Sequence, residues 1–310
     1  MWRQQDPKEL STGEVKKGLD ILKELGVLEV VLSGGDPLLR DDIDEIIEYA
    51  SRYFITTVYD NGSMALKKID ALRKADFVAI SVDSLDPQKN DYLRGVKNAW
   101  LNAAKVIETL HEEGIAVSVS PTISQYNIDE ILQLTDHFTN MDVPVWYCLY
   151  SYDSLGDENQ VFKIGKKNDD FAIADKEKMV KLCDSLIELK SKNNNVLVTT
   201  KILKVIRDFY SEGKRTWRCR ALQNFFVIDH LGRVAGCHLH KPVASIFDLP
   251  KAWKSEEFEF LRRTYARCDR CTYLCYIFYS LHGTVPGNLQ LAQDRWKSAA
   301  LFLKKVKLGF

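Results

Sequence analysis

Hydrophobic positions near the start of the chain repeat at the spacing of an α-helix. Ser11 and Glu14 form the Ser-x-x-Glu pattern of a capping box. The apolar residues after them share one helical face: Val15, Leu19, Leu22 and Leu25. Gly26 ends this pattern, and residues 28–32 are a mostly apolar run typical of a short buried strand. The chain is therefore expected to begin with a helix and then a strand.

The alternation of helical and strand patterns continues to about residue 150. Further strand patterns occur at residues 55–58, 77–82, 115–119 and 145–149, with helical patterns between them at about 41–52, from about 65, at about 99–113 and from about 128. Strands that alternate with helices in this way form parallel βα units with right-handed crossovers. The pattern predicts an α/β fold.

Turn and polar residues recur where successive strand patterns end. These are Ser33-Gly34-Gly35-Asp36-Pro37, Asp60-Asn61-Gly62, Asp83-Ser84 and Pro121-Thr122. Ligands bind at the carboxyl edge of the strands in a βα barrel, so this recurrence favours a barrel over an open sheet. Four further polar or aromatic residues are expected at the mouth of the barrel: Tyr147, Tyr150, Tyr152 and Asp153.

After residue 150 the pattern changes. Residues 151–167 form a polar connection, and a long helix at about 176–191 follows within a connecting segment of about 172–195. Beyond Trp217, apolar runs at 225–228 and 234–235 flank a turn and predict a β-hairpin with a cysteine at each end. We therefore expect a boundary near residue 212, between a unit of residues 1–212 and a unit of residues 213–310.

Charge and hydropathy exclude several classes of protein. The 43 basic residues balance 43 acidic ones, whereas nucleic-acid-binding domains normally carry a basic excess. No apolar run approaches the roughly 20 residues needed to span a bilayer. Residues 1–5 have none of the parts of a secretory signal. The sequence predicts a cytoplasmic protein whose main partner is not a nucleic acid.

The cysteines are concentrated towards the end of the chain. Five of the seven follow residue 218: Cys219, Cys237, Cys268, Cys271 and Cys275. In a reducing cytosol such clustering indicates metal binding before disulfides. A hairpin that joins two thiolates to a closely spaced group suits a tetrahedral sulfur site, either an iron–sulfur cluster or zinc. The softness of the ligands does not choose between the two.

Other cysteines and histidines have simpler interpretations. His238 and His240 lie beside Cys237 and are alternative ligands, but adjacent residues on a strand face opposite ways, so we expect ordinary packed or exposed histidines. Cys148 lies on the last barrel strand and Cys183 on a helix. Both are expected to be core residues.

The segment Ser33-Gly34-Gly35-Asp36-Pro37 is the most specific motif of the first half. Two glycines let the backbone approach a ligand and Asp36 offers a carboxylate to a cation, although a plain tight turn has the same composition. With the preceding helix, this segment resembles the start of the barrel of the radical S-adenosylmethionine (SAM) enzymes. Ordered matches follow at Asp60-Asn61-Gly62, residues 79–84, Arg94-Gly95, Thr122 and Asn127.

The resemblance implies a partial (βα)6-type barrel that lacks its first strand, followed by a small cysteine-rich α+β auxiliary domain. In that family the glycine-rich stretch holds the amino group of SAM, and polar residues of the fourth strand approach its ribose and carboxylate. The implied SAM-binding residues are Ser33, Gly34, Gly35, Asp36, Pro37, Asn61, Ser81, Asp83, Arg94 and Thr122.

The cysteine spacing adds a second resemblance. Cys-x12-Gly-x4-Cys from Cys219 to Cys237, followed by a Cys-x2-Cys group, is similar to the SPASM or shortened twitch auxiliary domains of radical SAM enzymes. This implies one auxiliary 4Fe–4S cluster, with zinc as the alternative, held by four of the five cysteines.

The catalytic cluster of the family is held by a CxxxCxxC loop, which this sequence does not contain. We expect an N-terminally truncated or mis-started form of a working enzyme, in preference to a lineage without radical chemistry, and no reductive SAM cleavage by the chain as written. With the motif restored, the radical 4Fe–4S cluster would cleave SAM to a 5′-deoxyadenosyl radical that abstracts hydrogen from a peptide or a cofactor or lipid precursor. The electron donor would be ferredoxin or flavodoxin. A non-radical SAM-binding protein and a zinc-stabilised scaffold are the alternatives.

The last residues of the chain, 295–310, are basic and amphipathic. Such a helix can lie on a membrane surface. A helix packed on the barrel, with a solvated polar face, is the preferred interpretation.

Overall fold

A parallel sheet of four strands runs through the first half of the chain. In the computed structural model, which describes residues 9–153, 165–166, 169–269 and 271–283, these strands are β1 (Glu29–Leu32), β2 (Ile55–Asp60), β3 (Phe77–Ile80) and β4 (Val117–Val119). They pair in sequence order, and every pair is parallel. This order is the one expected of successive βα units with short crossovers.

The sheet continues beyond β4 through shorter segments. Strand β5 (Thr122–Ile123) pairs in parallel with β6 (Cys148–Leu149). Parallel bridges also join Val119 to Val145, and Val145 to Val196. The sheet therefore extends over six successive segments, and the prediction of an α/β fold with a parallel, barrel-type sheet is confirmed.

Helices follow the strands as predicted. In chain order they are α1 (Thr12–Glu24), α2 (Ile43–Ala50), α3 (Ile69–Leu72), α4 (Pro87–Arg94), α5 (Ala99–Glu112), α6 (Ile131–Asn140), α7 (Lys176–Lys192) and α8 (Thr200–Glu212). Ser11 caps α1, since its backbone N–H donates to Glu14 Oε2 at 2.8 Å and its hydroxyl accepts from the Glu14 backbone. The capping box predicted from the sequence is confirmed.

Alternate residues of the segment 145–150 face opposite sides of the sheet. Val145, Tyr147 and Leu149 are buried among the helices, while Trp146, Cys148 and Tyr150 are partly exposed on the other side. We call this second side the inner face.

The cysteine-rich part of the chain combines a small antiparallel sheet with three helices. Its strands β9 (Val227–Ile228), β10 (Arg233–Ala235) and β11 (Ala244–Ser245) lie in the order β11-β10-β9. The helices are α9 (Leu249–Ala252), α10 (Glu256–Ala266) and α11 (Leu274–His282), and a separate two-stranded pair joins β7 (Tyr152–Asp153) to β8 (Gly165–Lys166). The hairpin predicted between residues 225 and 235 is confirmed.

The hydrophobic side chains form two cores, and the second crosses the expected boundary near residue 212. Leu19 and Leu22 of α1 and Phe54, which follows α2, pack together with Val234 and Phe258 of the cysteine-rich part. The backbone joins the same parts, because the Leu10 N–H donates to the His230 carbonyl oxygen at 2.9 Å. The first helices of the chain therefore belong structurally to both parts.

No helix in the described part of the chain is long and apolar enough to cross a membrane. The basic segment 295–310 lies outside the described residues, as do the side chains of Tyr152 and Asp153.

Candidate active site

The glycine turn after β1 presents accessible backbone at the carboxyl edge of the sheet. Gly34 has φ +137°, in the region that favours glycine, and a Cβ built on it would meet no atom within 4 Å. Ser33, Gly34 and Gly35 are all exposed. Pro37 starts a 3₁₀ helix (Pro37–Leu39) that is capped by Asp36. The backbone of the turn is thus exposed, and the turn ends at the Asp36 cap of the 3₁₀ helix.

The Asp36 carboxylate connects the first two loops of this edge. Its Oδ1 accepts from the Leu38 N–H at 3.1 Å. Its Oδ2 accepts from Asn61 Nδ2 at 3.3 Å and from the Ser63 hydroxyl at 2.6 Å. Protein donors therefore hold the Asp36 carboxylate in place beside the exposed backbone of the turn.

Asp60, at the end of β2, is a buried carboxyl group beside Asp36. It is 3% exposed, and its Oδ1 accepts from the Gly62 N–H at 2.6 Å. Among the described residues nothing donates a hydrogen bond to its Oδ2. Burial and the nearby charge of Asp36 raise the pKa of Asp60 to about 7. Near neutral pH this carboxyl group therefore carries a proton in part of the molecules.

Asp83, Arg94 and Thr122, all predicted from the sequence, come together at one cavity. Asp83 is 5% exposed, and its Oδ1 accepts from the Thr122 N–H at 2.7 Å while its Oδ2 lies 3.3 Å from an Arg94 guanidinium nitrogen. The cavity has a volume of about 360 Å³ and is lined by Asp83, Leu93, Arg94, Thr122, Ser124, Tyr150, Asp169 and Phe171. Carboxylates, a guanidinium group and hydroxyl groups thus line one cavity.

Part of this cavity wall was missed by the sequence reasoning. Asp169 and Phe171 come from the connection after β8, and Asp169 Oδ2 accepts from the Tyr150 hydroxyl at 2.8 Å. Burial and this carboxylate raise the pKa of Tyr150 to about 12. The position of Tyr150 at the mouth was anticipated, whereas no periodicity in the polar connection marks the other two residues.

Two of the remaining predicted residues lie elsewhere. Ser81 is partly exposed, its N–H donates to the Asp60 carbonyl oxygen at 3.0 Å, and it does not line the cavity. The prediction that Tyr147 lies at the mouth of the barrel is wrong. Tyr147 is 1% exposed, and its hydroxyl lies 2.8 Å from Thr135 Oγ1 on the helical side of the sheet. The strand alternation places it one residue out of register for the inner face.

Four of the five clustered cysteines gather in the cysteine-rich part: Cys219, Cys237, Cys268 and Cys271. Burial raises the pKa of the Cys237 thiol, and the charges of the other three thiols raise it further. Burial also raises the pKa of Cys219, and that of Cys271 to about 11, while Arg215 opposes both shifts. These mutual effects on the pKa values indicate that the four thiols lie in the same neighbourhood.

The donor set fits an iron–sulfur cluster in type, number and proximity. Thiolates are the ligands of such clusters, and the Arg215 guanidinium offers a compensating positive charge. Within the described residues no group of three or more Cys, His, Asp or Glu side chains is arranged to hold a single metal ion. Four thiolates are equally the ligands of a structural zinc ion, so the residue types fit both kinds of centre.

Cys275, the fifth cysteine, is in a different contact. Its thiol interacts with the thiol of Cys148, which lowers the pKa of Cys148 and, together with burial, raises that of Cys275. Cys183 is fully buried on α7, in agreement with the sequence prediction. His238 is 3% exposed, its Nδ1 lies 2.9 Å from the Tyr276 hydroxyl, and burial lowers its pKa to about 4. His238 is therefore a packed, neutral histidine.

Taken together, the fold and this edge define an α/β barrel-type protein with a glycine-rich backbone turn, a polar cavity and a separate group of cysteines. Residues 2–138 match a family model described as Radical SAM superfamily. This stretch of the chain therefore carries a radical SAM domain, and the resemblance noted for the first half of the sequence is confirmed.

Individual relatives agree with this assignment. GTP 3′,8-cyclase of Aquifex aeolicus is 35% identical over 153 residues, which are 46% of this chain and 46% of that protein. AdoMet-dependent heme synthase of Nitratidesulfovibrio vulgaris is 24% identical over 291 residues, which are 86% of this chain and 77% of that protein. The chain thus spans about half the length of the first relative and three quarters of the second.

A solved structure shows the same fold along nearly the whole chain. Native anSMEcpe with bound AdoMet and Cp18Cys peptide aligns with a TM-score of 0.62 at 11% identity, covering 99% of this chain and 94% of that one. At this identity the likeness establishes the fold alone.

Proposed function

We propose that this chain provides the SAM-binding site and one auxiliary 4Fe–4S centre of a radical SAM enzyme. The observation that carries the proposal is the convergence of Asp83, Arg94 and Thr122 on one cavity at the carboxyl edge of the sheet. Arg94 supplies a cation for a ligand carboxylate, and Asp83 supplies an acceptor for ribose hydroxyls. The exposed backbone from Ser33 to Gly35 is available to the ligand amino group.

The auxiliary centre is assigned to Cys219, Cys237, Cys268 and Cys271. When bound, a 4Fe–4S cluster supplies a centre for one-electron transfer or substrate ligation. The chain holds the four sulfurs in a largely buried region and keeps Arg215 close to them. Burial limits the access of water and oxygen to the centre.

In a form that also carries the three-cysteine motif, the proposed activity is reductive cleavage of SAM and hydrogen abstraction from a substrate. The substrate class is a peptide or a cofactor or lipid precursor, and the electrons come from a ferredoxin- or flavodoxin-type donor. The comparisons include an example of each of the first two classes. The structure of native anSMEcpe contains a peptide, and the relative from Nitratidesulfovibrio vulgaris is a heme synthase. We place the protein in the cytoplasm, where thiolates remain reduced.

Calorimetry of SAM binding to the anaerobically prepared chain tests the first assignment. We expect binding by the wild type, and at least a tenfold weaker affinity, about 1.4 kcal/mol, for Asp83→Asn and for Arg94→Ala. Arg52→Ala is the matched control, since this arginine is exposed and paired only with Glu48 within its own helical region. No binding by the wild type, or an equal loss in the control, would contradict the proposal.

Metal analysis tests the second assignment. Anaerobically prepared chain should contain iron and acid-labile sulfide equivalent to one 4Fe–4S cluster, and Cys237→Ser should lose most of both. Cys183→Ser removes a buried thiol away from the site and should keep them. Zinc without sulfide in the wild type would show that the centre is not an iron–sulfur cluster.

A further inference from the structure

Arg215 lies in the connection between α8 and the cysteine-rich part of the chain. Its Nη1 donates a hydrogen bond to the carbonyl oxygen of Cys268. The guanidinium carbon lies 4.6 Å from the centre of the Trp217 ring. Trp217 is 7% exposed and packs in the first of the two hydrophobic cores, with its ring centre 6.1 Å from that of Phe209. The guanidinium is therefore held from two sides, next to one of the four proposed ligands of the auxiliary centre.

The Nε–H of Arg215 is a buried donor whose acceptor is not supplied by the polypeptide. Among the residues that the structure describes, no atom accepts a hydrogen bond from this nitrogen. Buried polar groups nearly always have a partner, because an unpaired donor on a charged group is costly. The donors of a guanidinium also have fixed directions, so the hydrogen bond from Nη1 to Cys268 restricts where the Nε–H points. An unpaired donor held in this way indicates a bound group with acceptor atoms.

The chemistry around this donor is that of sulfur. Cys268, whose carbonyl oxygen binds Nη1, is one of the proposed cluster ligands. Burial raises the pKa of the Cys219 and Cys271 thiols, and the positive charge of Arg215 opposes both shifts. A 4Fe–4S centre held by these cysteines contains thiolate and inorganic sulfide, and both accept hydrogen bonds. The centre therefore supplies the kind of acceptor that the protein atoms do not.

We propose that the Arg215 Nε–H donates a hydrogen bond to a sulfur atom of the auxiliary 4Fe–4S centre and thereby raises the reduction potential of that centre. This inference rests on the proposed function, because it requires the cluster assigned to the four cysteines. One-electron reduction adds a negative charge to the cluster. A fixed cation and a hydrogen bond to sulfur stabilise the reduced form more than the oxidised form.

The proposed role of Arg215 concerns electron transfer at the auxiliary centre. A higher reduction potential makes the centre a better acceptor for an electron from the ferredoxin- or flavodoxin-type donor. Because arginine stays protonated at all working pH values, this contribution does not depend on the pH near neutrality. Arg215 acts on the centre and has no assigned contact with SAM.

Redox titration of the anaerobically prepared chain, followed by electron paramagnetic resonance, tests the effect on the potential. Arg215→Met removes the charge and the donor, and Arg215→Lys keeps the charge without an Nε–H. At the wild-type midpoint potential, the ratio of reduced to oxidised centre should be at least tenfold lower in Arg215→Met, a shift of about 59 mV to more negative values. Arg215→Lys should give a smaller shift in the same direction. Arg218→Met, at an exposed arginine next to Cys219, is the matched control and should keep the wild-type potential.

A second measurement on the wild type does not depend on whether a variant folds. With arginine isotopically labelled at Nε, pulsed electron paramagnetic resonance of the reduced centre should detect a coupling between the electron spin and the labelled nitrogen. The coupling should be present in Arg218→Met and absent in Arg215→Lys.

Two results would overturn only this inference: a loaded wild-type cluster without the coupling, or Arg215→Met with a loaded cluster and an unchanged potential. Iron, acid-labile sulfide and zinc are measured on the same preparations. Zinc without sulfide in the wild type would overturn the assignment of the centre and this inference together. Failure of the proposed function is thus distinguished from failure of the role of Arg215.

Discussion

Gly62 has both a conformational and a steric reason to be glycine. Its φ is +85°, and a Cβ at this position would lie 3.0 Å from Ala103 Cα, a backbone atom that cannot rotate away. Gly62→Ala is therefore expected to lower the free energy of unfolding by more than about 1 kcal/mol, measured by urea denaturation. Gly26→Ala, at φ +77° with open space around it, isolates the conformational part. Equal losses in the two variants would contradict the steric part.

Asp60 links the stability of this turn to pH. Its pKa is raised to about 7 in the folded protein, so the folded state binds more protons than the unfolded state between about pH 4 and pH 7. Stability contributed by this group is complete below about pH 4 and is lost as the pH rises through 7, by up to about 1.4 kcal/mol per unit.

Urea denaturation at pH 5.5 and at pH 8 measures this effect. Asp60→Asn keeps an acceptor for the Gly62 N–H but cannot ionise, so its stability should fall less between the two pH values than that of the wild type. Asp70→Asn, at a side chain that is 96% exposed, should leave the difference unchanged. A fall in stability in Asp60→Asn as large as that in the wild type would refute the raised pKa.

At the residue scale, the sequence predicted which residue types form the site better than it predicted which way each side chain faces. Asp83 and Thr122 were identified because polar residues recur at strand ends, and Arg94 was identified through the family resemblance. The structure brings all three to one cavity. Tyr147 was misplaced because the register of a short apolar strand cannot be read from its composition. The position of Cys275 relative to Cys148 depends on how α11 packs against β6, which local sequence does not determine.

A side-chain hydrogen bond joins helix α11 to the first strand of the sheet. The Tyr279 hydroxyl donates to Glu29 Oε2 at 2.9 Å, between partly buried groups. Tyr279→Phe should cost about 1–3 kcal/mol, because the Glu29 carboxylate loses a donor in a poorly hydrated place. Tyr49→Phe removes an exposed hydroxyl bonded to Asp20 at 2.8 Å and should cost under about 0.5 kcal/mol in the same urea assay. Similar losses in both variants would refute this role of α11.

At the element scale, helices and strands of the first half were predictable because their signals are local. The Ser11 capping box and the apolar spacing after it identified α1 correctly. The strand segment at Val196 was missed, since it makes a single bridge after a run of asparagines. Helices α10 and α11 were not placed, because aromatic and charged residues mask their periodicity. Their stability comes from packing, of α10 on the second core and of α11 on both cores.

The second core makes the cysteine-rich part depend on the first helix of the chain. Leu22 of α1 is 6% exposed within that core. Leu22→Ala should destabilise the protein by about 2–5 kcal/mol and hasten the release of iron to a chelator, because the cavity weakens packing around the cysteine-rich part. Leu101→Ala, at a side chain that is 60% exposed on α5, should change neither quantity. Unchanged iron release in Leu22→Ala would show that the two parts are independent.

At the scale of the whole molecule, a boundary near residue 212 divides the chain by sequence texture, and we retain it as a proposal for its organisation. The hydrophobic cores divide the chain differently, because apolar residues of α1 contribute to the core of the cysteine-rich part. Sequence periodicity shows which face of α1 is apolar. It contains no information about which distant segment will cover that face.

The position of α1 affects how the protein would respond to oxygen. This helix packs on the cysteine-rich part and leads directly into β1, the strand that ends in the exposed glycine turn. Oxygen that destroyed the proposed iron–sulfur centre would loosen the packing beneath α1 and, through it, the anchoring of that turn. Oxidation of that centre would thus disable both proposed sites at once. Loss of SAM affinity would then be an indirect sign of damage to the proposed metal centre.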